Sequence, residues 1–198
     1  MQNRFGKSKT GSGSRPAVKP LARERVGSRR SIFLVGFMGA GKTTVGRALS
    51  RRLGLPFEDL DERIQQREGK TIERIFRESG EAGFRKAETA ALREVLADFR
   101  LSTGVVALGG GAFVQPENAA LIEQVKAHSI FLDAPVDELL RRCDGENKER
   151  PLRQDAKQFR ELYEKRRLSY MKAAIRIDTD GKDVDAIAAE VACSLGLE

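Results

Sequence analysis

Residues 36–43 read GFMGAGKT, which fits the pattern G-x-x-x-x-G-K-[ST] of a phosphate-binding loop, and they directly follow the apolar run IFLV. Glycines in such a loop let successive backbone N–H groups point inward at a phosphate. The lysine then reaches the β- and γ-phosphates, and the final hydroxyl can ligate Mg²⁺. An apolar run before the loop and a helical pattern after it are the strand and helix that this motif needs. The pattern therefore predicts an α/β fold with a nucleotide bound after its first strand.

Apolar runs of strand length alternate with longer segments of helical periodicity along the rest of the chain, as βαβ units around a parallel sheet require. We expect strands at about 31–35, 56–59, 104–108, 128–132 and 174–178. We expect helices at about 42–53, 60–68, 71–79, 81–100, 116–126, 135–142, 156–170 and 184–195. A length of 198 residues suits one such domain.

Positive charge is concentrated in the first 30 residues, which hold nine of the 36 Lys and Arg and one of the 29 Asp and Glu. The segment therefore carries a net charge of +8. Because the whole chain carries +7, the remaining residues sum to −1, which argues against a basic nucleic-acid module. The segment is rich in Gly and Ser, so we expect residues 1–30 to form a disordered extension before a folded domain at 31–198. An inert extension or upstream start codon, an organelle transit peptide and an arm for an anionic partner all stay open for it.

Cysteine and histidine content excludes two classes of chemistry. Cys143 and Cys193 fit no metal or redox spacing, and His128 is the single histidine, which argues against zinc sites and histidine-based catalysis. The sequence has no run of about 18 apolar residues and no apolar signal segment. We therefore expect a cytoplasmic protein that does not bind a membrane.

Two carboxylates follow the second predicted strand, at the edge of the sheet where α/β proteins bind ligands. They are Asp59 and Asp61, and two residues apart in an extended segment their side chains would point the same way. One could then serve a metal ion and the other an acceptor hydroxyl. An Asp before a helix is also a common N-cap, and that explanation stays open.

A glycine triplet and two arginines suggest a site for a small polar acid. Gly109, Gly110 and Gly111 follow another apolar run, and three glycines there let a ligand approach the bare backbone. Arg85 lies near the start of a long helix, where the helix dipole does not favour a cation, so a carboxylate ligand would explain it. Arg166 is a second candidate, although a solvent-facing basic turn also explains that residue.

Residues 143–153 are polar, charged and without periodicity, which predicts a mobile surface loop. Loops of this kind in phosphotransferases close over the donor and exclude water. Arg150 and Arg153 are then candidates for contact with phosphate, and a solvated charge run is the alternative explanation.

These motifs together resemble the shikimate kinase family over about residues 31–195. The resemblance is carried by the phosphate-binding loop (P-loop) and the first helical turn (36–47), Asp59-Leu60-Asp61, segment 80–85, triplet 109–111, the lid segment 150–152, and Arg166 with Tyr170. It implies an α/β P-loop NTPase fold with a five-stranded parallel sheet of order 2-3-1-4-5. It also implies a mobile lid like that of nucleoside monophosphate kinases.

The resemblance further implies a kinase that transfers the γ-phosphoryl group of ATP to the 3-hydroxyl of shikimate with Mg²⁺ as cofactor. Such an enzyme would work as a monomer on small molecules, without nucleic acid. The residues it assigns to ATP are Gly39, Ala40, Gly41, Lys42, Thr43, Thr44 and Arg150. Thr43 would also bind the metal directly and Asp59 through water. Those assigned to shikimate are Asp61, Arg85, Gly110 and Arg166, and the catalytic set is Lys42, Asp61 and Arg150.

One departure from the family pattern concerns the adenine site. Family members usually carry an adenine-stacking arginine seven residues before the lid Arg-Pro, where this chain has Cys143. A one-residue insertion would make Arg142 the counterpart. Two alternative functions stay open: a gluconate or nucleotide kinase of the same superfamily, and a non-catalytic ligand sensor on this fold.

Overall fold

Five parallel strands form one sheet of order β2-β3-β1-β4-β5. The strands are β1 (Ile32–Val35), β2 (Phe57–Asp59), β3 (Val105–Ala107), β4 (His128–Asp133) and β5 (Ile175–Asp178). The sheet confirms the expected order, and every strand begins and ends within a residue or so of its predicted range. β1 lies in the middle of the sheet, as the strand that leads into a P-loop must in this order.

The computed structural model describes residues 30–99, 103–146 and 156–197, and the side chains of 144–146 are not described. The predicted extension before residue 30 and the predicted lid residues Arg150 and Arg153 lie outside these ranges. No helix within them is long and apolar enough to cross a membrane.

Helices connect the strands, with a short 3₁₀ turn after β3. They are α1 (Lys42–Leu53), α2 (Leu60–Glu68), α3 (Ile72–Asp98), the 3₁₀ turn (Ala112–Val114), α4 (Pro116–Gln124), α5 (Val136–Glu146), α6 (Ala156–Tyr170) and α7 (Val184–Ser194). The predicted bounds of α1, α2 and α6 are confirmed at both ends. The 3₁₀ turn was not predicted.

Two helices differ from their predictions in an informative way. α3 covers both helices expected at 71–79 and 81–100, but Gly80 between them has φ 64° and ψ −175°, so the helix is kinked where a break was predicted. α5 runs on past its predicted end at residue 142. Its face continues through Leu139 and Cys143, both buried and four residues apart, so burial extends the helix into the expected loop.

The core lies around β1, whose residues Ile32–Val35 are all 0% exposed. Strands that are buried on both faces read as continuous apolar runs rather than alternating ones, as this strand does. α1 packs against α7, and α2 against α3. This packing brings the residues after β1, β2 and β3 together at one edge of the sheet.

Candidate active site

The P-loop after β1 has the backbone conformation that its glycines permit. Gly39 and Gly41 have φ of 77° and 80°, in the left-handed region that other residues rarely adopt. A Cβ at Gly39 would also lie 2.6 Å from the carbonyl oxygen of Leu139. Gly41 is the N-cap of α1, so the first N–H groups of that helix face the loop, where they can bind an anion.

Two P-loop side chains have defined partners. Lys42 Nζ donates a 2.9 Å hydrogen bond to the carbonyl oxygen of Phe37, within the loop itself. The Thr43 hydroxyl donates a 2.7 Å hydrogen bond to Asp59 Oδ2 at the end of β2. Asp59 Oδ1 accepts from the backbone N–H groups of Asp61 and Glu62, so Asp59 is also the N-cap of α2. Asp59 is therefore an N-cap, as the capping explanation predicts, and it also contacts the Thr43 hydroxyl.

Asp61 reaches the site by a different route from the one expected. The strand ends at Asp59, and Asp61 lies in the first turn of α2, so the argument from alternation along an extended segment is wrong. The helix turn nevertheless points both carboxylates into one cleft. Asp61 Oδ1 would lie only 2.6 Å from a Cβ at Gly109.

The glycine triplet makes room for two of the predicted site residues. A Cβ at Gly109 would overlap Asp61, and one at Gly111 would lie 2.4 Å from Arg85 Nη1. Gly110 is different, since its nearest neighbour would be 3.7 Å away. Two of the three glycines are therefore needed to admit side chains of the protein, while a Cβ at Gly110 would fit in ordinary van der Waals contact.

Arg85 is held by two carboxylates, one of which was missed by the sequence analysis. Its Nη1 pairs with Glu88 at 2.9 Å and its Nη2 with Glu81 at 3.3 Å. Glu88 is 1% exposed, and this burial raises the pKa of its carboxyl group, while the neighbouring Arg85 opposes the rise. Glu88 was detectable in the sequence as a charged residue on the same helix face as Phe84 and Ala91.

Arg166 lies on α6 opposite the glycine triplet. Its Nη1 donates a 3.4 Å hydrogen bond to the carbonyl oxygen of Gly110, which also accepts from the Tyr170 hydroxyl. Burial raises the pKa of Tyr170 to about 12, so its hydroxyl keeps its proton as a donor at neutral pH. Gly110 is thus contacted by both members of the predicted Arg166 and Tyr170 pair.

A buried carboxylate that sequence reasoning missed fixes α6 to the sheet. Asp133, 3% exposed at the end of β4, accepts from the Tyr163 hydroxyl at 3.0 Å. It also pairs with Arg167 at 3.0 Å and Arg176 at 2.8 Å. Its position at the end of an apolar strand was the signal available in the sequence. These contacts hold the helix that carries Arg166.

Arg142 reaches the far end of the site, where the adenine was expected. It donates to the carbonyl and hydroxyl oxygens of Thr179 at 2.9 and 3.2 Å, and to Glu138 at 2.7 Å. Hydrogen bonds from Arg141 and Arg142 lower the pKa of Glu138 to about 2. Cys143, which stands where family members usually carry the adenine-stacking arginine, is buried. Its Sγ lies 2.9 Å from the position that a Cβ would take at Gly39.

A cleft of about 500 Å³ joins these parts, within the usual size range of small-molecule sites. The predicted site residues that line it are Gly39, Ala40, Gly41, Lys42, Thr43, Thr44, Asp59, Asp61 and Gly110, together with Arg142. Arg85 and Arg166 are not in its lining: Arg166 donates to the carbonyl of the lining residue Gly110, and Arg85 lies beside the next residue, Gly111. Arg150 lies outside the described residues. The arrangement can hold phosphates at the P-loop and a small hydroxylated acid beside the triplet.

Comparison with known proteins agrees with this geometry. The shikimate kinase family model matches residues 38–195. A shikimate kinase from Persephonella marina is 41% identical over 162 residues, which are 82% of this chain and 96% of that protein. A shikimate kinase from Acinetobacter baumannii, solved in complex with shikimate, has a TM-score of 0.76 and 37% identity over 84% of this chain and 93% of its own.

A more distant structure shows how widely the fold is shared. The APS kinase of Mycobacterium tuberculosis superposes with a TM-score of 0.57 at 17% identity, which supports the P-loop kinase fold alone. The family model and the relative at 41% identity, by contrast, cover most of the chain. This protein belongs to the shikimate kinase family.

Proposed function

We propose that this chain transfers the γ-phosphoryl group of ATP to the 3-hydroxyl of shikimate, giving shikimate 3-phosphate and ADP. The observation that carries the proposal is one cleft lined by the P-loop, Asp61 and Gly110, with Arg166 bonded to the Gly110 carbonyl and Arg85 beside Gly111. Phosphoryl transfer needs the two substrates held in line and positive charge around the moving group. The residues of this cleft would meet both requirements.

On the nucleotide side, the backbone of residues 39–44 would hold the phosphates at the N-terminus of α1. Lys42 would exchange its hydrogen bond to Phe37 for contact with the β- and γ-phosphates. There its charge would stabilise the transition state, in which negative charge spreads over the transferred group. Arg150, outside the described residues, would add a second cation from the lid.

The metal side fits Mg²⁺ by the chemistry of its donors. Mg²⁺ in kinases takes one or two protein oxygens, with substrate phosphates and water as its other ligands. The Thr43 hydroxyl would bind it directly, and Asp59, 2.7 Å from that hydroxyl, would bind it through water. When bound, the ion neutralises charge on the β- and γ-phosphates.

On the acceptor side, Asp61 would orient the 3-hydroxyl and take its proton as it attacks. Arg85 and Arg166 would hold the carboxylate of shikimate, because guanidinium groups match the geometry of a carboxylate. Gly110 would donate a backbone N–H, since it lines the cleft. Glu88 would support this site indirectly through its ion pair with Arg85, and Asp133 would do so by anchoring α6.

The proposal extends to the domain organisation, location and oligomeric state of the enzyme. Residues 31–198 would form the kinase domain, with residues 1–30 as an extension that takes no part in catalysis. We place the protein in the cytoplasm as a monomer with ATP and shikimate as its partners. Arg142, held flat by Thr179 and Glu138, would stack on the adenine.

A coupled assay of ADP release tests the reaction, with shikimate, gluconate and nucleoside monophosphates as separate acceptors and with Mg²⁺ present or removed. We expect turnover with shikimate as the acceptor but not with gluconate or nucleoside monophosphates, and we expect it only when Mg²⁺ is present. Lys42→Met should lower kcat by orders of magnitude and leave the fold intact. Faster turnover with gluconate or a nucleotide would overturn the choice of acceptor, and no turnover with any of them would favour a ligand sensor.

A further inference from the structure

The side chain of Phe37, the first variable residue of the P-loop motif, joins that loop to α6. It is 0% exposed. Its ring makes edge contacts with Phe159, centroids 5.0 Å apart, and with Tyr163, 5.6 Å apart. Edge contacts between aromatic rings at these centroid distances are energetically favourable. The ring is therefore fixed in place by the helix that also carries Arg166.

Arg166 lies over the same ring. Its Cζ is 5.8 Å from the ring centroid of Phe37. Phe159, Tyr163 and Arg166 are spaced by four and three residues, so they share one face of α6. A guanidinium within about 6 Å of an aromatic centroid is attracted by the ring.

The two arginines that border the acceptor pocket are supported in different ways. Arg85 is paired with the carboxylates of Glu81 and Glu88. Arg166 has the ring of Phe37 and a hydrogen bond of 3.4 Å to the Gly110 carbonyl, and its charge also acts to lower the pKa of Glu88. An aromatic ring orients a guanidinium without neutralising its charge.

We propose that Phe37 is a positioning residue for the acceptor: its ring holds the Arg166 guanidinium in place to receive the carboxylate of the substrate. This inference rests on the proposed function, because it takes Arg166 as a carboxylate-binding residue. It gives the side chain of Phe37 a task separate from the phosphate-binding backbone of its loop. The same residue also accepts from Lys42 through its carbonyl, so the cations of both substrate sites contact it.

The test uses the full-length enzyme with Phe37→Leu, which removes the ring and keeps an apolar side chain. We expect the KM for shikimate to rise about fivefold, as for the loss of one cation–π contact, with kcat and the KM for ATP nearly unchanged. Phe33→Leu is the matched control, because Phe33 is equally buried, on β1. It should lower the melting temperature without moving the KM for shikimate.

Two further measurements separate positioning from packing. In an Arg166→Lys background, Phe37→Leu should add little to the KM for shikimate, because both changes disturb the same contact. With shikimate methyl ester as acceptor, which lacks the charge, Phe37→Leu should change the KM less than with the acid. Equal rises with acid and ester, or a parallel rise in the KM for ATP, would overturn the inference.

Failure of the underlying proposal would give a different result. If Arg166→Lys itself leaves the KM for shikimate unchanged, then the carboxylate role of Arg166 is wrong, and the inference about Phe37 falls with it. If Arg166→Lys raises that KM and Phe37→Leu does not, only the inference about Phe37 is wrong.

Discussion

The Thr43 hydroxyl donates a hydrogen bond to Asp59 Oδ2, which joins the P-loop to the end of β2. The other oxygen of the same carboxylate caps α2, the helix that carries Asp61. One side chain therefore links the hydroxyl that we propose as a metal ligand to the helix turn that carries the proposed acceptor carboxylate. A shift of the P-loop would be transmitted to the acceptor side through Asp59.

The two tasks of Asp59 can be separated by substitution. Asn is nearly as good an N-cap as Asp, so Asp59→Asn should leave the free energy of unfolding almost unchanged, whereas Asp59→Ala should lower it by about 1 kcal/mol. Both changes remove the carboxylate charge that we propose supports the metal, so both should raise the Mg²⁺ concentration needed for half-maximal activity by about tenfold or more. Mg²⁺ titrations and thermal unfolding check this. An unchanged Mg²⁺ requirement in Asp59→Asn would exclude Asp59 from the metal site.

Asp61→Asn should abolish most of the transfer while nucleotide binding survives. An amide cannot take the proton of the acceptor hydroxyl, and loss of a general base costs about 10²- to 10⁴-fold in rate. Glu62→Gln is the matched control, since Glu62 is the next residue and is exposed, paired with Arg47 on the surface. Steady-state kinetics and calorimetric ATP binding measure the two effects. Collapse of ATP affinity in Asp61→Asn would contradict the acceptor role.

Local signals predicted those parts of the fold that depend on neighbouring residues. α1 and α2 end at Gly54 and Gly69, which adopt the left-handed conformation, and α2 begins at an Asp cap. Glycine after a helix and Asp before one are visible in the sequence as end and start signals. β1 and β3 are short apolar runs buried in a parallel sheet, so they too could be recognised. The P-loop was identifiable for the same reason, because its function requires its residue types at fixed spacing.

Features that depend on distant partners were not predictable in the same way. Glu88 and Asp133 are buried charges whose role is set by arginines brought to them by the fold. The direction of Asp61 was argued from strand alternation, although Asp61 lies beyond the strand end at Asp59, in the first turn of α2, where alternation does not apply. The space beneath Arg85 is supplied by Gly111, 26 positions along the chain, a relationship visible only once β3 and α3 are packed together.

Gly111→Ala should weaken shikimate binding by displacing Arg85. The added Cβ would lie 2.4 Å from Nη1 and 2.8 Å from Cζ of that guanidinium, so the arginine must move. We expect the KM for shikimate to rise about tenfold or more, as for misplacement of a charged hydrogen-bonding group. In an Arg85→Ala background, Gly111→Ala should add little to this KM, because both changes act through the same guanidinium. An equal rise in both backgrounds would refute the steric explanation.

Glu88 should make folding stability depend on pH. Burial raises the pKa of its carboxyl above the ordinary value of 4.5, so the folded protein holds this proton to a higher pH than the unfolded chain does. Stability from this group is therefore full below pH 4.5 and is lost as pH rises through the raised folded pKa. Glu88→Gln removes the titration, so the melting temperature of the wild type should fall relative to that of the variant as pH rises from 4 to 7. A constant difference across this range would contradict the raised pKa.

Arg142 differs from Arg141 and Cys143, the residues on either side of it in the sequence, in the contacts that its side chain makes. Its guanidinium is bound to Thr179 and Glu138, which fixes its plane, whereas Arg141 is 74% exposed with Glu138 as its ion-pair partner and Cys143 is buried. A fixed, planar guanidinium is a good stacking surface for a base. Arg142→Ala should therefore raise the KM for ATP about tenfold with little change in the KM for shikimate, while Arg141→Ala should have a much smaller effect. Since ATP and GTP share their phosphates, comparing the two nucleotides shows whether the loss arises at the base. A larger effect of Arg141→Ala would place the adenine against the other arginine.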